Sequence, residues 1–345
     1  MTKKPVRIAI DAMGGDHAPH EIIKGAILGA RLYKVGVCLV GKPDVIELEL
    51  QQYQEKIRRH NLSVEVVPAT EVIAMGDAPG IAIRKKKDSS IVVTAKCVGD
   101  GKADAMVAAG STGAAMASAI FNIGRIEGID RPAIGVVLPS LASPCLLIDA
   151  GANADCLPEM LVQFGRMGTV FMKHVYHIDN PRVGLLNIGE EAGKGNVFVN
   201  SAFKMLEHDQ AINFIGNIEG RDMYLGGAEV AVCDGFTGNV ALKSSEGVAT
   251  MILKLLKQEM KSTLSAMAGA LLLRRALKRA RKKVDHEEFG GALLMGIKGT
   301  CVIAHGGSSA NAIKHAIRVA KDAVEANVIE KITTKLTEGS PVACL

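Results

Sequence analysis

One phrase recurs along this chain and restricts its fold more than any other feature. A short apolar run rich in Val, Ile, Leu or Ala stops at a glycine-rich polar turn, and the turn opens a helical pattern. It reads RIAIDAMGGDHAP, AMVAAGSTGAAM, LLIDAGANAD, GLLNIGEEAGKGN, FIGNIEGRD, AVCDGFTGN and VIAHGGSSAN. Strand-like runs alternating with helices predict an α/β protein with a mostly parallel sheet. Ligands of such sheets bind beyond the carboxyl ends of the strands, so the turns are expected to gather at one edge. Glycines let backbone amides approach a ligand, and helix N-termini favour anions. An anionic, phosphate-bearing ligand follows from the pattern alone.

The 345 residues are long enough for a large core, read as a single domain spanning residues 1–345. Aromatics are only 3% of the chain and Trp is absent, so the core is aliphatic and base stacking has few platforms; nucleic acid is not an expected partner. The net charge of +5 is concentrated. Arg274 to Lys283 carries seven basic residues and no acid, which leaves the rest of the chain slightly negative. One local anionic partner is therefore expected, not a nucleic-acid-wrapping surface. The seven cysteines show no CxxC or paired spacing and read as buried small hydrophobes of a reducing compartment. The N-terminus runs straight into a strand, with no signal peptide pattern. No apolar stretch is long enough to span a bilayer.

Consecutive runs AIGVVLPS and SPCLLIDAG, with no helix between them, predict a hairpin and hence a mixed sheet. Residues 74–87 read as irregular, with Lys85, Lys86 and Lys87 solvated and Ser89 or Ser90 capping the next helix. Residues 247–284 break the alternation. They read as an inserted hairpin of two amphipathic helices that turn around Ala268 and Gly269.

The turns supply the candidate chemistry. GEEAGKGN is one residue short of a nucleotide-binding phosphate loop, and Gly195 stands where Ser or Thr would hold Mg²⁺, so ATP is set aside. Backbone donors at Asn187 and Gly193 and the Lys194 ammonium remain as anion ligands; the alternative is a solvated surface lysine. Ser111, Thr112 and Gly113 open a helix and read as an N-cap with anion-donor amides. Asp234 either accepts turn hydrogen bonds or handles a proton, with Asn239 one turn further on. His305, beside Gly306 and Gly307, is a candidate anion donor or acid. Gly14, Gly15 and Asp16 form the first turn. No metal or cofactor is expected. A dinucleotide reading fails because the first turn lacks GxGxxG and strand two ends in Gly41–Lys42.

Taken in order, IAIDAMGGDHAP, AGSTGA, DRPAI, DAGANAD, NIGEEAGKGN, NIEGRD, CDGFTGNVALK and AHGGS resemble the acyl-ACP:phosphate acyltransferase family (PlsX type) of bacterial phospholipid synthesis, over nearly the whole chain. The resemblance implies a three-layer α/β/α sandwich related to isocitrate dehydrogenases and phosphotransacetylases. It implies transfer of a fatty acyl group from acyl carrier protein to inorganic phosphate. A membrane glycerol-3-phosphate acyltransferase would use the product. It also implies a cytoplasmic homodimer that associates peripherally with an anionic membrane surface, and an Asp in the CDGFTGN segment that acts on the thiol. In the hairpin, Leu264, Met267, Leu271 and Leu272 are then candidate membrane contacts. Arg274, Arg275 and Lys278 are candidate carrier or lipid contacts. A CoA-dependent phosphotransacylase and a non-catalytic phosphate- or lipid-binding protein stand as alternatives.

Overall fold

A computed structural model describes residues 4–284 and 290–338; Cys344, one of the seven cysteines, lies outside them. Eleven described strands form one sheet. In chain order they are β1 (Arg7–Asp11), β2 (Gly36–Gly41), β3 (Val64–Pro68), β4 (Ala105–Ala109), β5 (Ala133–Leu138), β6 (Cys145–Ile148), β7 (Arg182–Leu186), β8 (Asn213–Ile218), β9 (Val230–Val232), β10 (Ala292–Met295) and β11 (Thr300–Ala304). Their spatial order is β3-β2-β1-β4-β11-β10-β5-β6-β9-β7-β8.

Helices cover both faces. On one face lie α1 (His20–Tyr33), α2 (Pro43–Leu50), α7 (Pro158–Val175), α8 (Val197–His208), α12 (Ala310–Glu325) and α13 (Val328–Glu338), which close a core around Phe164, Phe171 and Ile317. The short α3 (Gln54–Arg59) follows α2. On the other face lie α4 (Pro79–Lys85), α5 (Ser90–Gly99), α6 (Thr112–Asn122), α9 (Asp222–Leu225) and the start of α10 (Gly235–Glu259). The expected three-layer α/β/α sandwich is present. Helices α1 and α12 approach closely because Gly25 and Gly29, one turn apart, leave room for Ile313 and Ile317; a β-carbon on Gly25 would lie 2.6 Å from Ile313 Cβ.

Strands β5 and β6 pair antiparallel, as the hairpin reading predicts. Strand β10 was not legible. It is four residues long, flanked by glycines, and too short to show a period, yet it pairs antiparallel with both β11 and β5. Three successive antiparallel pairings reverse the chain direction between the two halves of the sheet. The turns after β1, β4 and β11 therefore lie at one sheet edge, and those after β6, β7, β8 and β9 at the opposite one. The expectation of a single ligand edge is corrected accordingly.

Other local readings also change. Residues 79–85 are helical because Pro79 stands at the first helical position, where its fixed φ costs nothing. Lys86 is not simply solvated: it pairs with Asp77 at 2.7 Å and bonds the Val72 carbonyl. Ser89 occupies the N-cap position of α5, but its hydroxyl donates to the Lys86 carbonyl. Helix α10 grows directly from the DGFTGN turn, and α11 (Leu264–Val284) runs through Ala268 and Gly269 unbroken. The turn falls at residues 260–263, where Thr263 Oγ1 accepts the Ala266 amide and starts α11. A single helical Gly costs only about 1 kcal/mol, too little to stop the helix.

Candidate active site

At the first edge the turns after β1, β4 and β11 interlock. Gly14 lies under Ala109, and a β-carbon there would sit 2.2 Å from the Ala109 carbonyl oxygen. Gly15 and Gly110 take φ of 100° and 118°, which glycine adopts without strain. The Asp16 amide donates to the Gly306 carbonyl at 2.8 Å, tying the first turn to the last. Ser111 caps α6 by accepting the Ala114 amide at 3.3 Å, as its N-cap reading requires. That leaves the amides of Thr112 and Gly113 in the open first turn, where the helix dipole favours an anion. His305 Nδ1 accepts the Gly307 amide at 3.1 Å, which puts the proton of the neutral ring on Nε2.

The turns after β1 and β4, with Ile303 of β11, line a cavity of about 220 Å³. Asp11, which sequence reasoning left out of the site, lies at its floor and is only 3% exposed. Burial pushes its carboxyl up to about 6 from an ordinary 3.8, against hydrogen bonds from the Ser90 hydroxyl and the amides of Met13 and Gly14. The signal in the sequence was an acid closing an otherwise apolar strand.

At the second edge Asn187 organises the lysine loop. Its Nδ2 donates to the Lys194 carbonyl at 2.9 Å, and Gly193 and Gly195 take φ of 90° and 93°. The Lys194 side chain is exposed. Asp234 is the N-cap of α10; Oδ1 accepts the Thr237 amide and Oδ2 the Thr237 hydroxyl, both at 2.8 Å. Asn239, exposed in the next turn, lies against Gly151. Beneath it Asp149, fully buried, accepts the amides of Ile134, Gly151, Ala152 and Asn153 and the Asn153 side-chain amide at 2.7–3.0 Å. This anchor of the DAGANAD turn was also missed as an individual residue: it gathers the amides of its own turn and ties them to Ile134 of β5.

The structure thus unites Gly14, Gly15, Asp16, Ser111, Thr112, Gly113, His305, Gly306 and Gly307 at one edge. Asn187, Gly193, Lys194, Asp234 and Asn239 lie at the other, as two neighbouring turns. The hairpin residues form neither cluster. Leu264, Met267, Leu271 and Leu272 are 86%, 52%, 70% and 86% exposed, and Arg274, Arg275 and Lys278 are exposed on the same helix. No helix of the described residues is long and apolar enough to cross a membrane.

Known proteins share both sequence and fold with this chain. The sequence profile of the family described as fatty acid synthesis protein matches residues 6–331. A phosphate acyltransferase of Heliobacterium modesticaldum is 50% identical over 327 residues, covering 95% of this chain and 96% of the relative. One from Pelotomaculum thermopropionicum is 48% identical, covering 96% and 95%. A phosphotransacetylase from Streptococcus pyogenes shares the fold with a TM-score of 0.63 at 16% identity, over 95% of each chain. The chain belongs to the fatty acid synthesis protein family and, within it, to the phosphate acyltransferases.

Proposed function

We propose that this acyltransferase moves a fatty acyl group from the thioester of acyl carrier protein to inorganic phosphate. The observation that carries the reading is the cavity at the first edge. Its rim offers the Gly14–Gly15 turn, Gly110 and the Ser111 hydroxyl at the start of α6 to an anion, while part of its wall is aliphatic. An anionic nucleophile and an apolar acyl group both find suitable surfaces there.

In this reading a phosphate oxygen attacks the thioester carbon. The C–O bond forms, the C–S bond breaks, and the sulfur leaves as a thiol after taking a proton. Fixed dipoles and cations facing the developing oxyanion supply the largest catalytic effect. The α6 amides, His305 Nε2–H and Lys194 serve this role; Asp234 manages the proton and Asn239 holds the thioester. Burial pushes the Cys145 and Cys301 thiols up to about 12 and that of Cys156, beside the DAGANAD turn, up to about 11, so none of these three is a ready nucleophile.

Sheet twist supports joint action of the two edges. At 20–25° per strand, the four steps from β4 to β6 accumulate roughly 80–100°. Diagonally opposite corners of so twisted a sheet turn toward the same face, and α6 and α10 both start on one face.

The exposed apolar residues Val248, Met251, Ile252 and Leu255 of α10 support a homodimer. The exposed leucines beside the basic run of α11 support peripheral contact with an anionic membrane, where a membrane glycerol-3-phosphate acyltransferase would receive the acyl phosphate. The test is direct: incubate the protein with phosphate and acyl carrier protein or CoA thioesters, and trap acyl phosphate as the hydroxamate. Product from the carrier thioester supports the reading. Product from CoA alone would make the protein a CoA-dependent phosphotransacylase. No product from either would leave a binding protein.

A further inference from the structure

The cavity at the first edge is chemically divided. Its rim is formed by the glycine turns and Ser111 and its floor carries Asp11, but the rest of its inner wall includes Ile91 of α5, Ala108 of β4, Ala115 of α6 and Ile303 of β11. All four are buried, 2–5% exposed. A phosphate gains nothing from such a wall, since an anion moved against aliphatic groups loses hydration without new partners. An alkyl chain gains with each methylene it buries there. The volume is also limited. About 220 Å³ is on the order of seven water molecules at ~30 Å³ each, so the space takes a short stretch of chain.

Two features set its depth. Helix α6 presents consecutive alanines, Ala114 and Ala115, where larger side chains would fill the space, and Ile91 closes the opposite side. At the mouth stands Met75, 59% exposed and in contact range of Gly306. Its unbranched thioether side chain can change shape to let a longer chain pass.

Resting on the acyl-transfer reading above, we propose that this cavity is the acyl-chain subsite. The thioester carbonyl lies at the Ser111 end, the chain runs along Ala115 and Ile91, and Met75 is the gate past which longer chains leave. Ala115 and Ile91 are then the residues that set chain-length preference.

The experiment measures kcat/KM for a butyryl and a palmitoyl thioester of the same carrier, with hydroxylamine trapping, in the parent, Ala115→Val, Ile91→Ala and Met75→Ala. Ala115→Val narrows the space and should lower the palmitoyl-to-butyryl ratio on the order of tenfold, the discrimination one methylene-sized change produces. Ile91→Ala and Met75→Ala should raise that ratio. The KM for phosphate should stay at the parent value in all three. Circular dichroism checks that each variant is folded; because two variants enlarge the space and one reduces it, a folding defect cannot mimic opposite shifts. Ratios that stay constant while acyl phosphate still forms would overturn the subsite and leave the transfer reaction standing. Absence of acyl phosphate in the parent would instead overturn the reaction itself.

Discussion

Gly14 and Ala109 meet with no room for a side chain between them: a β-carbon on Gly14 would lie 2.2 Å from the Ala109 carbonyl oxygen and 2.7 Å from Asp11 Oδ2. This contact locks the turn after β1 onto the end of β4, and so shapes the rim of the cavity. The Ala109 carbonyl belongs to a buried strand end and can yield only by moving backbone. Gly14→Ala should therefore destabilise the protein by roughly 1–3 kcal/mol, the usual cost of overpacking. It should also lower acyl-phosphate formation more than tenfold. Thermal melts and the hydroxamate assay read the two effects separately; near-parental values of both would show that the turns are not coupled.

Asp11 gives a pH signature. Its folded carboxyl titrates at about 6, above the ordinary 3.8. With a raised folded value, its contribution to stability is complete below pH 3.8 and is lost as pH rises through about 6. The full difference corresponds to about 3 kcal/mol. Asp11→Asn has no ionised form to bury. Its stability relative to the parent should improve between about pH 4 and pH 7, measured by urea unfolding across that range. A difference that stays flat with pH would mean that the Asp11 carboxyl is not perturbed.

Lys194 and Asp234 test the second edge. The Lys194 side chain is exposed, so Lys194→Ala should leave the melting temperature at its parental value. Loss of a cation aimed at the reacting charge should lower kcat about 10²–10³-fold. Asp234→Asn keeps an N-cap acceptor as good as Asp and should cost less than about 0.5 kcal/mol. If Asp234 moves a proton, the same change alters the pH–rate profile; an unchanged profile would confine it to capping α10.

The tip of α11 predicts a membrane response. Replacing Leu264 and Leu271 with Glu puts charge where an apolar helix face would enter the interface. Flotation with anionic phospholipid vesicles should fall to background, while acyl-phosphate formation in solution persists. Retained flotation would move the contact elsewhere. Charge reversal at Arg274 and Arg275 should raise the KM for the acyl carrier thioester if that run docks the carrier.

Much was legible before any fold was known, for a local reason. Helix and strand periods, and the glycines that end each strand, are short-range properties. They were sufficient for the α/β class, for the β5–β6 hairpin and for Ser111 as a helix N-cap. Short-range properties failed where an element had no period to show. Strand β10 is four apolar residues, and one of its two antiparallel partners, β5, is distant in the chain. Its two antiparallel pairings cancel, leaving β11 and β5 in one direction, and the β5–β6 hairpin makes the net reversal; strand order is a long-range property, so the order of glycine motifs could not say that His305 joins Gly15 while Lys194 joins Asp234.

Burial drew the same line for single residues. Asp11 and Asp149 look like ordinary strand-end acids in the sequence. Only the packed structure seats one on a cavity floor with a shifted titration and surrounds the other with amides. The sequence settled which residues end strands, cap helices and offer charge, because each depends on its near neighbours. The tertiary structure settled which of them face one another and which lose water, because both depend on strand direction and packing across the whole sheet.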